Sequence, residues 1–227
     1  MTGRDVGITR IHQGNEYLRP LVKSLIDLPV KAMSDKLPKK YVMDISPARL
    51  EITNIVIDLK GAEPKCTNTL DPNPHANEIL ISAMSCLIST DESDGISYIF
   101  TCNKTRLAAA MQLESMSSIM THKHIDMIQY ALANMKNLLA NFTNMEPKEK
   151  ITAYICGMTA NKGNSYFAND QKLINDRLIL KSAVYELNSR GVNAEIFFGK
   201  KYRKQTYDLV TRKYEPGDDR KPRQVLL

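Results

Sequence analysis

The chain has 227 residues, 43% of them hydrophobic, and a formal net charge of +6. That length supports one sizeable core, and no apolar run approaches the ~20 residues that a bilayer span needs. The stretch from Met1 to Gly14 is polar and has no apolar h-region, so no Sec-type signal is expected, while delivery by a specialised secretion machine stays open.

The first clear element is a helix. Leu18, Leu21, Val22, Leu25 and Ile26 share one face, Asn15 suits its cap and Pro29 ends it. Around Arg49 to Leu59, Ser46-Pro47 would suit a helix start, but the β-branched run Ile52, Thr53, Ile55, Val56 and Ile57 favours a strand. Residues 61–76 carry Pro64, Pro72 and Pro74 and read as a loop. This divides the chain into an N-terminal extension (1–60), a main domain (61–215) and a loose basic tail (216–227).

Within the main domain, Glu78 to Thr90 and Ile96 to Cys102 flank the turn Asp91-Glu92-Ser93-Asp94-Gly95 and predict a β-hairpin. Two helices follow. The second is marked by the stripe Ile125, Ile128, Leu132, Met135, Leu139 and Phe142. A strand over 150–158, a helix over 170–189 stopped by Gly191, a strand over 193–198 and a strand over 205–215 complete the series. The expected fold is α+β (α/β), with a β-β-α-α-β-α-β-β core. It has a mixed, largely antiparallel sheet with packed helices and an N-terminal helical extension.

Four cysteines without a Cys-x-x-Cys pair read as free thiols in a reducing compartment. His12, His75, His122 and His124 make no finger-type spacing with them, so no metal is expected. Cys156, inside an apolar strand, reads as core, and Cys102 as a strand-to-helix junction thiol. Cys66 falls in the Pro-rich loop. Cys86 follows Ser82-Ala83-Met84-Ser85, small residues that leave room for a close backbone or a bound chain. The basic C-terminal stretch, from Lys200 to Arg223, would suit nucleic acid, an acidic protein or an anionic membrane surface. It reads more simply as a strand edge guarded by Lys and Arg.

Ser85-Cys86, on a strand turning back into Gly95-Ile96-Ser97-Tyr98-Ile99, resembles the Gly-Ser-Cys hairpin of CheD, the chemotaxis protein that deamidates receptor glutamines. Further segments follow in the same order. Ile125-Asp126 is similar to the start of CheD's long helix, and Ile151 to Met158 to its strand ending in Gly-Gly-Ala-x-Met. Ile174-Asn175-Asp176-Arg177 is similar to its Ile-Gly-x-Arg-Asn helix start. Gly191-Val192 and Phe198-Gly199 through Tyr202-Arg203 to Thr211 resemble its closing segments. The resemblance covers 76–215 and extends to the cytotoxic necrotizing factors, which pair a strand cysteine with a histidine on the next strand. Two departures stand out: Met84 replaces the family's glycine, and no histidine lies near Tyr98 to Phe100.

The resemblance implies a protein-glutamine deamidase that needs no cofactor and acts on a protein substrate. Cys86 would be its nucleophile and His124 or His122 its base, with backbone N–H groups near Cys86 holding the oxyanion. Such a protein would be cytoplasmic or delivered into a host cell as a virulence effector. The alternatives are a binding module on the same fold without catalysis, and a basic accessory protein for nucleic acid.

Overall fold

The computed structural model describes residues 8–13, 47–58, 64–84, 86–91, 95–102, 104–113, 120–142, 151–157, 179–198, 202 and 204–217. In chain order the strands are β1 (Ile8–Gln13), β2 (Asn54–Asp58), β3 (Lys65–Thr67), β4 (Glu78–Ser82), β5 (Leu87–Asp91), β6 (Ile96–Cys102), β7 (Ala108–Leu113), β8 (Ile151–Gly157), β9 (Asn193–Phe198), β10 (Lys204–Asp208) and β11 (Lys213–Gly217). The helices are the short α1 (Pro47–Leu50), α2 (Met120–Phe142) and α3, described over 179–189. The class is α+β, and mostly sheet.

Eight strands form one sheet in the order β1-β9-β8-β6-β7-β4-β2-β3, and three form a second in the order β11-β10-β5. The large sheet is antiparallel except where β9 runs parallel to both β8 and β1. Strand alternation gives it two buried faces. Ile79 and Ile81 of β4, Tyr98 and Phe100 of β6, Met111 of β7 and Ile155 of β8 pack with α2 and α3 in one core. Leu80 of β4, Ile99 of β6 and Ala108 and Ala110 of β7 face the other way and meet Ile88, Tyr207 and Leu209 of the small sheet. The molecule is a helix layer and a small sheet on opposite sides of a large one.

Several expected elements hold. Ile125, Ile128, Leu132 and Met135 of the α2 stripe are all buried. Gly191 ends α3 with a positive φ of 70°. There the Val192 N–H bonds the Leu187 carbonyl and the Gly191 N–H bonds the Asn188 carbonyl, which closes the helix as a Schellman motif. Gln129 of α2 donates to Glu186 of α3 at 3.1 Å and ties the two helices together. Gly157 ends β8 at φ 123°, where an added Cβ would sit 2.2 Å from the Gly95 carbonyl oxygen, so only glycine fits that crossing.

Other expectations are corrected. Among the described residues the core order from β4 onward is β-β-β-β-α-β-α-β-β-β, where β-β-α-α-β-α-β-β was expected. The first of the two expected helices is replaced by β7. Its Ala-Ala-Ala run suits a helix by propensity, but β4 and β6 flank it on both sides, and small side chains fit a strand buried on both faces. The expected hairpin does not form: β5 pairs with β10, whereas β6 pairs with β7 and β8. All seven residues of β6 are buried, which suits a central strand of the large sheet rather than one arm of a hairpin. The expected strand over 205–215 is itself a hairpin, β10 and β11, turning at 209–212. Cys102 ends a strand that leads to another strand, not to a helix.

The ambiguous segment after Ser46 holds both a helical turn, α1, and a strand, β2. The expected helix over 15–29 and the tail from 218 onward lie outside the described residues. Strands from both sides of the expected border at residue 60 share the large sheet, β1 on β9 and β2 on β4. No helix among the described residues is long and apolar enough to cross a membrane.

Candidate functional site around Cys86

Cys86 lies where the chain leaves one sheet for the other. β4 ends at Ser82 in the large sheet, and β5 begins at Leu87 in the small one. The intervening turn is held locally. The Ser82 hydroxyl accepts the Met84 N–H at 3.2 Å, and the Cys86 N–H donates to the Met84 carbonyl at 2.9 Å. The Leu209 N–H then bonds the Cys86 carbonyl at 3.1 Å and pins the turn to the end of β10. Ser85 lies outside the described residues.

The thiol points into the core between the two sheets and is 6% exposed. Its sulfur lies 3.3 Å from the Ser82 hydroxyl and 4.0 Å from the Asn54 side-chain oxygen. The Asn54 amide nitrogen donates to the Thr69 carbonyl at 2.8 Å, which aims its oxygen at the sulfur. Burial pushes the thiol pKa above the ordinary 9.0, and Asp71 and Asp208 add to the rise, while the Ser82 hydrogen bond opposes it. The thiol is therefore protonated at neutral pH.

His122 and His124 stand near the start of α2, and their side chains lie outside the described residues. The next residue, Ile125, belongs to the helix-side core, and Cys86 belongs to the core on the other face of the large sheet. Tyr98, which stands where the resemblance places a histidine, is fully buried on the helix side. Its phenol is held well above its ordinary range by burial. Three described backbone N–H groups near Cys86 are engaged. The Met84, Cys86 and Leu87 N–H groups bond Ser82 Oγ, the Met84 carbonyl and the Leu70 carbonyl.

A second polar line crosses the same interior. Thr90 and Gln205 both donate to the Ser97 hydroxyl, at 3.0 and 2.9 Å. Tyr214 donates to the Gln205 side-chain oxygen Oε1 at 2.9 Å, and Cys156 lies 3.2 Å from the Tyr214 hydroxyl. The Tyr214 ring stacks on Tyr154 with centroids 3.7 Å apart. Burial drives the Cys156 thiol up to about 12. This line fastens the small sheet to the large one, and Cys156 is a core thiol. Four residues along β6 from Ser97, Thr101 is fully buried and its hydroxyl has no hydrogen-bond partner.

Of the other thiols, Cys102 is buried and Cys66 is exposed on the edge strand β3, near Arg49. Among the described residues no cluster of three His, Cys, Asp or Glu side chains is placed to hold a metal. The C-terminal basic residues Arg212 and Lys213 are exposed at the turn and at the start of β11, the outer strand of the small sheet.

Sequence reasoning singled out Cys86 but missed Asn54, Asp71 and Asp208, which reach it from distant segments. A polar Asn inside the run Ile52 to Ile57 was the one available signal.

No protein-family model matches the sequence, and no curated protein matches it. Among solved structures, the chain is similar in part to Neisseria meningitidis protein NMB0706, of the family model DUF152, a family other than CheD. The identity is 11% and the TM-score 0.27, over 53% of this chain and 52% of that one, so this chain spans about half the length of that structure. A likeness this slight carries neither fold nor activity to this chain.

Proposed function

We propose that this chain is a protein-binding module, with sequence motifs that resemble those of CheD in their order, that works without thiol catalysis at Cys86. The observation behind it is the state of that thiol. It is buried, its pKa is raised, and its described partners, Ser82 and Asn54, are not bases. A cysteine nucleophile needs the opposite, a thiolate favoured by a base or a helix N-terminus. The engaged N–H groups around it point the same way, since an oxyanion needs free donors.

The second reading keeps the deamidase chemistry, with Cys86 as nucleophile and His124 or His122 as base. One observation favours it: the Ser82 hydroxyl and the Asn54 carboxamide both converge on the sulfur in an otherwise apolar surrounding.

Alkylation of the native chain with iodoacetamide, followed peptide by peptide, separates the two. The module predicts that Cys86 reacts at least about tenfold more slowly than exposed Cys66 near neutral pH, and gains rate only above the ordinary thiol range. Faster labelling of Cys86 than of Cys66 near neutral pH would restore the hydrolase.

A further inference from the structure

Four strands lie at the rims of the two sheets: β1 and β3 in the large one, β5 and β11 in the small one. A rim strand presents unpaired N–H and C=O groups to any other chain, and charged residues or proline within the strand are the usual defences. Three of the four contain such residues: Arg10 in β1, Lys65 in β3, and Lys213 with Pro216 in β11. β5 reads Leu-Ile-Ser-Thr-Asp, with no Lys, Arg or Pro and its one charge at the last position. Its β-branched Ile88 and Thr90 suit strand pairing.

A segment from elsewhere in the chain covers this rim. The Leu70 carbonyl accepts the Leu87 N–H and the Pro72 carbonyl accepts the Ser89 N–H, both at 3.4 Å, so the segment from Leu70 runs parallel to β5. In a parallel pair, the return bonds to the Leu87 and Ser89 carbonyls would come from the N–H groups of residues 72 and 74. Both are prolines, which have none. Pro72 and Pro74 are buried, while Asp71, Asn73 and His75 alternate with them and are exposed. The segment thus occupies the rim without extending the sheet as a true strand would.

It is fastened at its ends. The Asn54 amide nitrogen donates to the Thr69 carbonyl, and the Gln112 amide nitrogen donates to the Asn73 side-chain oxygen, both at 2.8 Å. The His75 N–H bonds the Glu78 carboxylate at 2.8 Å, and the His75 carbonyl accepts the Glu78 N–H at 3.0 Å. Asn77, at a positive φ of 65°, turns the chain into β4, and its N–H bonds the Gln112 carbonyl at 3.0 Å.

We propose that residues 70–75 are a guard strap, which denies the β5 rim to the β5 strand of a second copy of this chain. The occupant follows from β5 itself. Two β5 strands set antiparallel about Ser89 place Ile88 opposite Thr90 and Leu87 opposite Asp91, so no like charges meet and a two-fold pair closes. The device goes beyond the binding-module reading and is independent of the chemistry at Cys86.

The test uses the full chain in three forms: native, Asn73→Ala, and the triple variant Pro72→Gly, Asn73→Gly, Pro74→Gly. Each is followed by residue-resolved amide hydrogen exchange and by sedimentation over a concentration series. Asn73→Ala alters an exposed side chain and removes its bond to Gln112. It should speed exchange at Leu87 and Ser89 at least about tenfold. Ile88 and Thr90, whose main-chain groups face β10, should keep their rates. The triple variant should self-associate at least about tenfold more tightly than the native chain, and its Leu87 and Ser89 signals should move with concentration.

A triple variant that associates no more than the native chain overturns the proposal. So does association that moves the signals of β3 or β11 instead, or exchange at Leu87 and Ser89 that Asn73→Ala leaves unchanged. If the triple variant does not fold, Asn73→Ala decides alone, since it should shift association in the same direction as well as exchange.

Discussion

On the helix-covered face of the large sheet, Ile79, Ile81, Tyr98, Phe100, Met111 and Ile155 meet the apolar stripes of α2 and α3. On the face toward the small sheet, Ser82, Ser97, Cys156, Gln205 and Tyr214 interrupt the apolar contacts with hydrogen bonds. The first face gains its stability from area removed from water, which depends little on orientation. The second depends on every donor meeting its acceptor, which fixes how one sheet sits on the other. The difference teaches where specificity lies: the helices supply bulk, and the sandwich supplies register. Cys86 belongs to the second plan, at the turn where the chain leaves one sheet for the other.

The comparison breaks most visibly on the apolar side. Phe100→Ala should cost about 3–5 kcal/mol by urea unfolding, because a fully buried ring leaves a cavity that the sheet cannot close. A loss under about 1 kcal/mol would mean that the helix layer is loosely packed.

Alkaline pH should act on the polar side through several groups and on the helix side through buried Tyr98, whose phenol burial also holds well above its ordinary range. The Cys156 thiol is pushed up to about 12 from an ordinary 9.0. The unfolded chain therefore releases this proton first. The thiol's contribution is whole below the ordinary value and is lost as pH climbs toward the folded one, by up to about 1.4 kcal/mol per pH unit. The raised Cys86, Tyr154, Tyr207 and Tyr214 act in the same direction. Unfolding measured across that range should fall more gently in Cys156→Val, and an unchanged slope would remove Cys156 as its source.

The smallest effect is a gain. Thr101→Val replaces a buried hydroxyl without a partner and should raise stability by about 1 kcal/mol, or about 2–4 °C in Tm. A fall instead would show that the hydroxyl is satisfied in solution.

The parts of this plan that depend on local pattern were legible in the sequence. The α2 stripe, the Gly191 stop, and strands β8 and β9 follow from spacing and from one left-handed residue. What depends on distant partners was not. Ala108 to Leu113 looks helical until β4 and β6 flank it. Ile96 to Cys102 looks like a hairpin arm until β8 takes its far edge. Glu78 to Thr90 looks continuous, yet it divides at Cys86 between two sheets. Cys86 itself was legible as a thiol among small residues. Its surroundings come from Asn54, Leu70, Asp71 and Asp208, which no local pattern links.

One pairing reaches further than the rest. β1 lies alongside β9, with Ile11 opposite Ile196. A ribosome must add about 180 further residues after the first strand before its partner exists, which takes on the order of 10–40 s at ordinary synthesis rates. Through that interval the segment Ile8–Gln13 has no template and must be kept from pairing with other nascent chains. The β1 side of the large sheet is thus completed only after β9 has been made, so the newborn chain would gain from a holding chaperone through that interval.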